Sequence, residues 1–142
     1  MTTNALYPNI GLRFLTGLLD AAGVDWYAQA VKPTAAFDRA DTVLGDLGAV
    51  LAGDPVALLT PAVSITATAV EVTCDDSALD LDSLLASESI EALVVYADDG
   101  SSLWLAAWYG RKRDSTPVAG TSDGTPAPLT WPTTGAFLRI PC

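Results

Sequence analysis

Carboxylates are the only abundant groups in this chain that could do chemistry. Its 142 residues hold 17 Asp and Glu against 7 Lys and Arg, with no histidine, for a formal net charge of −10. Without imidazole there is no Ser-His or Cys-His nucleophile pair and no usual zinc or copper ligand. The two cysteines, Cys74 and Cys142, stand far apart and outside any Cys-x-x-Cys spacing, so they supply neither a disulfide framework nor a thiolate cage. Cytosolic thiols stay reduced as a rule, and whether these two pair is left open. Asp75, Asp76, Asp80 and Asp82 crowd one segment as calcium ligands do. The glycine and closing bidentate Glu of an EF-hand loop are missing, and a solvated acidic loop accounts for the four. Glycoside hydrolysis needs two acids across a cleft, one with a raised pKa. Only Glu71 and Glu91 lie in apolar strand contexts, and alternation turns both outward. Asp98 and Asp99 stand where a turn uses Asp for its own backbone. The expectation is a non-enzymatic protein with no metal and no cofactor.

Contact chemistry is better represented. Trp26, Trp104, Trp108 and Trp131, with Tyr27 and Tyr109, could form a core, a protein interface or a sugar-stacking platform. Trp104 and Trp108 are two strand periods apart, which predicts that they share one face of a sheet. So many aromatics in a small domain also predict self-association as a dimer or trimer. Arg111-Lys112-Arg113 gathers three of the seven basic residues; it is either solvated or a charge contact for an acidic neighbour. Trp104, Trp108, Arg111, Lys112 and Arg113 are therefore the candidate interface residues. The acidic balance argues against nucleic acid and anionic membranes as partners, since both repel such a surface. The apolar runs 92–96 and 103–109 fall far short of the roughly twenty residues of a membrane helix. The first residues lack the basic and apolar regions of a signal peptide, and synthesis in a cytoplasm is expected.

One domain spanning 1–142 must position these groups, with a helical segment over 1–23 and a β-rich body over 24–142. Ile10, Leu12, Phe14, Leu15, Leu18 and Leu19 predict an amphipathic helix over 9–22, with Asn9 as its cap. Strand one follows over 24–31 and stops at Pro33. Residues 38–47 predict a short helix or turn. The run 55–60 and the alternating stretch 63–74 predict strands, the second placing Val70, Val72 and Cys74 on one face. Residues 75–89 form an acidic connection. The runs 90–96 and 103–109 flank Asp98-Asp99-Gly100-Ser101 and predict a hairpin whose glycine takes a positive φ. Residues 111–128, rich in Arg, Asp, Ser, Thr, Gly and Pro, predict a long exposed loop. Short strands at 129–131 and 136–140 close the chain. The fold class predicted is mainly β, a sandwich or jelly-roll-like barrel of about seven short strands with an N-terminal helix.

This order of features resembles a group of small tailed-bacteriophage virion proteins, the head decoration (cement) and minor capsid proteins. The resemblance is carried by Asn4-Ala5-Leu6-Tyr7 leading into Gly11-Leu12-Arg13-Phe14-Leu15-Thr16-Gly17, by Glu91-Ala92-Leu93-Val94-Val95-Tyr96-Ala97-Asp98-Asp99-Gly100, and by Ala136-Phe137-Leu138-Arg139-Ile140. It covers most of the chain in outline. Residues 36–59 match poorly, and Ser122-Asp123-Gly124-Thr125-Pro126 replaces a glycine-rich turn before the last strand. The resemblance implies a structural protein on the outer surface of a phage capsid, with the major capsid protein and copies of itself as partners, and no catalytic residues. A sugar- or receptor-binding module of a phage tail or fibre is the alternative.

Overall fold

The computed structural model describes residues 5–15, 24–57, 62–65, 69–73, 79–81, 88–110, 117–121, 127–129 and 136–141. The chain opens with β1 (Ala5–Leu6) and α1 (Pro8–Leu15), followed by β2 (Asp25–Val31), a 3-10 turn (Leu44–Leu47) and β3 (Leu51–Ala57). Next come β4 (Ala62–Ile65), β5 (Ala69–Thr73), β6 (Leu79–Leu81), β7 (Ser89–Ile90), β8 (Ala92–Asp98) and β9 (Leu103–Tyr109). The last strands are β10 (Gly120–Thr121), β11 (Ala127–Leu129) and β12 (Ala136–Pro141). The fold is mainly β, with one short α-helix among the described residues. Its main unit is a five-stranded antiparallel sheet in the order β1-β9-β8-β2-β3. A three-stranded group β12-β5-β4 and the pairs β10-β7 and β11-β6 complete the described pairing, and no closed barrel forms among the described residues.

The main sheet is buried on both faces, which is why β8 reads as an unbroken apolar run rather than an alternating one. Trp26, Ala28, Ala30, Leu93, Val95 and Ala97 build one face, against Ile10 of α1 and Val118. Val31, Val94, Tyr96, Leu105 and Trp108 build the other, against Tyr7, Ala35 and Leu44. Full burial of each large apolar side chain contributes about 1.5–3 kcal/mol, so these two layers dominate the stability.

Two irregularities set which side chains reach which layer. In the β8–β9 ladder Val95 faces Ala107 but Tyr96 faces Leu105, so Ala106 is an extra residue in β9. Such a bulge shifts the inside-outside alternation by one. Trp104 consequently packs on the layer of Ala106 and Ala107, while Trp108 packs on the opposite layer with Leu105. The shared face predicted from their spacing is therefore corrected: the two tryptophans lie on opposite sides of the sheet. In the β2–β3 ladder Ala28 faces Val56 and Ala30 faces Ala52, leaving Gly53-Asp54-Pro55 against Gln29 alone. Gly53 takes a φ of 67°, which a side chain would resist. The Gln29 side-chain amide Nε2–H donates to the Gly53 carbonyl at 2.8 Å, and Gln29 Oε1 accepts from the Tyr96 hydroxyl at 3.3 Å. Burial, followed by the neighbouring Tyr27 and Asp98, pushes the Tyr96 phenol up to about 12.

Other expectations fare differently. Strand one is present as β2. The hairpin is present as β8 and β9 around Gly100, at φ 89°. The helix begins at Pro8, a favoured first position, so Asn9 lies within the first turn rather than capping it. Its predicted continuation over 16–22 falls outside the described residues. The stretch read as a single strand over 63–74 contains two, β4 and β5, paired antiparallel from Ala62 opposite Thr73 to Ile65 opposite Val70. Alternation does not report a reversal when both arms carry the same pattern. The polar segments 75–89 and 111–128 also hold strands, β6, β7, β10 and β11, and Val118 within the second is buried. The segment 111–128 is thus not a loop throughout; strands of two or three residues are too short to show a period.

Candidate contact surface around Trp104

Trp104 is half-buried on β9, and its ring is held from two sides. The Arg13 guanidinium of α1 lies 3.2 Å from the ring centroid, a cation–π contact. The indole Nε1–H donates to Asp99 Oδ2 at 2.8 Å. Asp99 Oδ1 in turn accepts the amides of Ser101 and Ser102, each at 2.8 Å, while Asp98 Oδ1 accepts the Gly100 amide at 2.8 Å. The hairpin turn is therefore closed by its own carboxylates, as the Asp-Asp-Gly sequence predicts. The indole N–H, and after it the Ser102 and Ser101 amides, hold the Asp99 carboxyl below its ordinary value of 3.8. Because the folded value is lowered, the contribution is complete above the ordinary value and is lost as pH falls through the lowered one. The Trp104 indole N–H resonance should accordingly shift with an inflection below 3.8, and Asp99→Asn should abolish that inflection. An inflection at or above 3.8 would show that the bond does not favour the carboxylate.

The far edge of β9 is closed by two segments. Leu105 N–H donates to the Thr42 carbonyl at 3.0 Å beside a bridge between Val43 and Trp104, and Tyr7 N–H donates to the Ala106 carbonyl at 3.0 Å. The first segment is shaped by Asp46 Oδ2, which accepts Thr42 N–H at 2.8 Å, Val43 N–H at 3.1 Å and Thr42 Oγ1–H at 3.2 Å. The Thr42 amide, then that of Val43, lowers the Asp46 pKa. Burial, then Asp38 and Asp46, raises that of Asp41. Tyr7 packs its ring 4.8 Å from Phe37, which lies 6.4 Å from Trp108 edge-on. Burial followed by the charges of Asp41 and Asp38 pushes the Tyr7 phenol upward.

Of the candidate interface residues, Trp104 alone combines exposure with a described environment. Trp108 is 2% exposed and belongs to the core rather than the surface. Trp26, Tyr7, Tyr96 and Tyr109 are buried as well. Arg111, Lys112 and Arg113 lie outside the described residues, as do Cys74, Cys142, Trp131, Asp75, Asp76 and Asp82. Asp80 lies in β6 opposite Pro128, and Glu71 in β5 opposite Arg139. Among the described residues no three Asp, Glu or Cys side chains form a group that could hold a metal ion. No described helix is long and apolar enough to cross a membrane. Sequence reasoning missed Arg13 and Gln29, whose roles depend on contacts across the fold that local periodicity does not encode. Comparison with protein-family models, curated proteins and solved structures finds no match.

Proposed function

We propose that this chain is a non-enzymatic structural virion protein of a tailed bacteriophage, made in the host cytoplasm, that binds the outer capsid surface and bridges neighbouring subunits. Its partners are the major capsid protein and further copies of itself, as a dimer or trimer, without nucleic acid, membrane or cofactor. The observation that carries this reading is the role of the described carboxylates. Asp38, Asp46, Asp98 and Asp99 each accept backbone amides of their own turns, which suits them to shaping surface loops rather than to acid–base chemistry. The resemblance in residues 4–17, 91–100 and 136–140 points the same way. We further propose a sandwich: the sheet is buried on both faces, and the strand groups outside it, one of which approaches β3 through β6, are the natural second layer. The sugar- or receptor-binding alternative is disfavoured because Arg13 covers one face of the Trp104 ring and Trp26 and Trp108 are buried.

Attachment should weaken with salt, through Arg111, Lys112 and Arg113. Many copies each making a modest contact suffice to hold a shell by multivalency. In binding to heads prepared without the chain, the triple change of these residues to Ser is expected to reduce bound copies about 3–10-fold at low salt, as loss of charge-assisted contacts does. Its circular dichroism should match the parent. Equal occupancy of the two proteins at low and high salt would remove the basic run from the contact. Absence of the parent from heads in electron micrographs would overturn the capsid role, and glycan-array binding would then favour the alternative.

A further inference from the structure

We propose that Ala5–Leu15 is a releasable strap, latched across β9 by the stack of Arg13 on Trp104, and that the chain exchanges between a strapped form and one with the β9 edge bared. The exchange uses contacts within one chain and does not depend on a virion role. Several anomalies of the described structure coincide in this segment. Its strand spans two of the described residues, and the Tyr7 N–H bond to Ala106 continues it. Tyr7 is 0% exposed, yet its hydroxyl has no hydrogen-bond partner, and neither does the enclosed Nδ2 of Asn9. Both groups regain water on release, so docking works against their desolvation. The two exposed large apolar side chains among the described residues, Leu6 at 39% and Leu12 at 59%, also belong here, so part of the strap's apolar surface stays in water when it is docked.

What opposes release is equally specific. The Tyr7 ring sits against Phe37 on one side of the sheet, Ile10 is buried on the other, and Arg13 covers Trp104. Among its described side chains, Tyr7, Ile10 and Arg13 therefore clasp the sheet edge from both faces. Once it lifts, the backbone of Ala106, Ala107 and Trp108 loses its outer partners, while Leu105 keeps its bond to Thr42. Local opening of this kind draws on the least stable contacts of a fold and leaves its central strands closed.

Hydrogen exchange of the full chain tests this. The Tyr7 amide, bonded to the Ala106 carbonyl of β9, should exchange at least about 100-fold faster than those of Val94 and Val95 in β8. Tyr7→Phe keeps the ring and removes the unpaired hydroxyl, and should slow strap exchange about 5-fold or more. Arg13→Gln should speed it about 3–10-fold and shift the Trp104 indole N–H resonance, with β8 exchange unchanged in both variants. Strap amides exchanging at the β8 rates would overturn the proposal. So would faster strap exchange in Tyr7→Phe, or no response of the strap to Arg13→Gln.

Discussion

Trp108→Ala lowers the stability of the fold by about 3–5 kcal/mol, the usual cost of emptying a large aromatic site in a core. The measurement is a fall in denaturant midpoint at unchanged slope. Trp108 is almost wholly enclosed, in edge contact with Phe37 and packed with Leu105, Val94 and Tyr7. Removal of its ring leaves a gap that neighbours on a rigid sheet cannot fill. Trp104→Ala should cost far less, about 1–2 kcal/mol, because the half-exposed ring forfeits one cation–π contact, one hydrogen bond and partial burial. Similar losses at the two positions would contradict the enclosure of Trp108 and the partial exposure of Trp104.

Gln29→Leu is expected to cost about 2–4 kcal/mol, although it replaces a polar core side chain by an apolar one of similar size. Gln29 is the one buried polar residue among the described residues, and it serves the part-buried Gly53 carbonyl and the buried Tyr96 hydroxyl at once. Its loss removes the Gln29 partner of the Gly53 carbonyl, which lies at the β3 irregularity, together with that of the Tyr96 hydroxyl. Adding Tyr96→Phe removes one of the two orphans, so the double variant should recover about 1 kcal/mol relative to Gln29→Leu. A neutral Gln29→Leu would mean that β3 relaxes enough to satisfy Gly53 elsewhere.

The elements most legible in the sequence are those whose signals are local. Asp98 to Gly100 specify their turn through side-chain-to-backbone bonds spanning two or three residues, and the apolar arms on either side follow from composition. The helix start was displaced by one residue, since Asn9 reads as a cap while Pro8 takes the first helical position. What was not legible depends on partners distant in sequence. Whether Trp104 and Trp108 share a face rests on one extra residue, Ala106, which no property of alanine announces. The division of 63–74 into β4 and β5 depends on which strand each arm meets. The sequence singles out Trp104 but not Arg13, since a single arginine on a helix has no reason to stack until the fold delivers the indole to it. Asp99 was assigned its turn but not its grip on Trp104.

The outer limit of β3 bears on crowding. At that margin the five-stranded sheet ends in Gly53-Asp54-Pro55, where the strand departs from regular pairing, carries an exposed charge and includes a residue with no amide hydrogen. An incoming strand from another molecule would find a bent, interrupted template, and fibre-like growth from edge to edge would stall at its first step. Solutions of the chain should therefore resist nucleating amyloid at this edge. Pro55 is then a guard on solubility as much as a feature of the strand, and its replacement by Thr or Val would open that route.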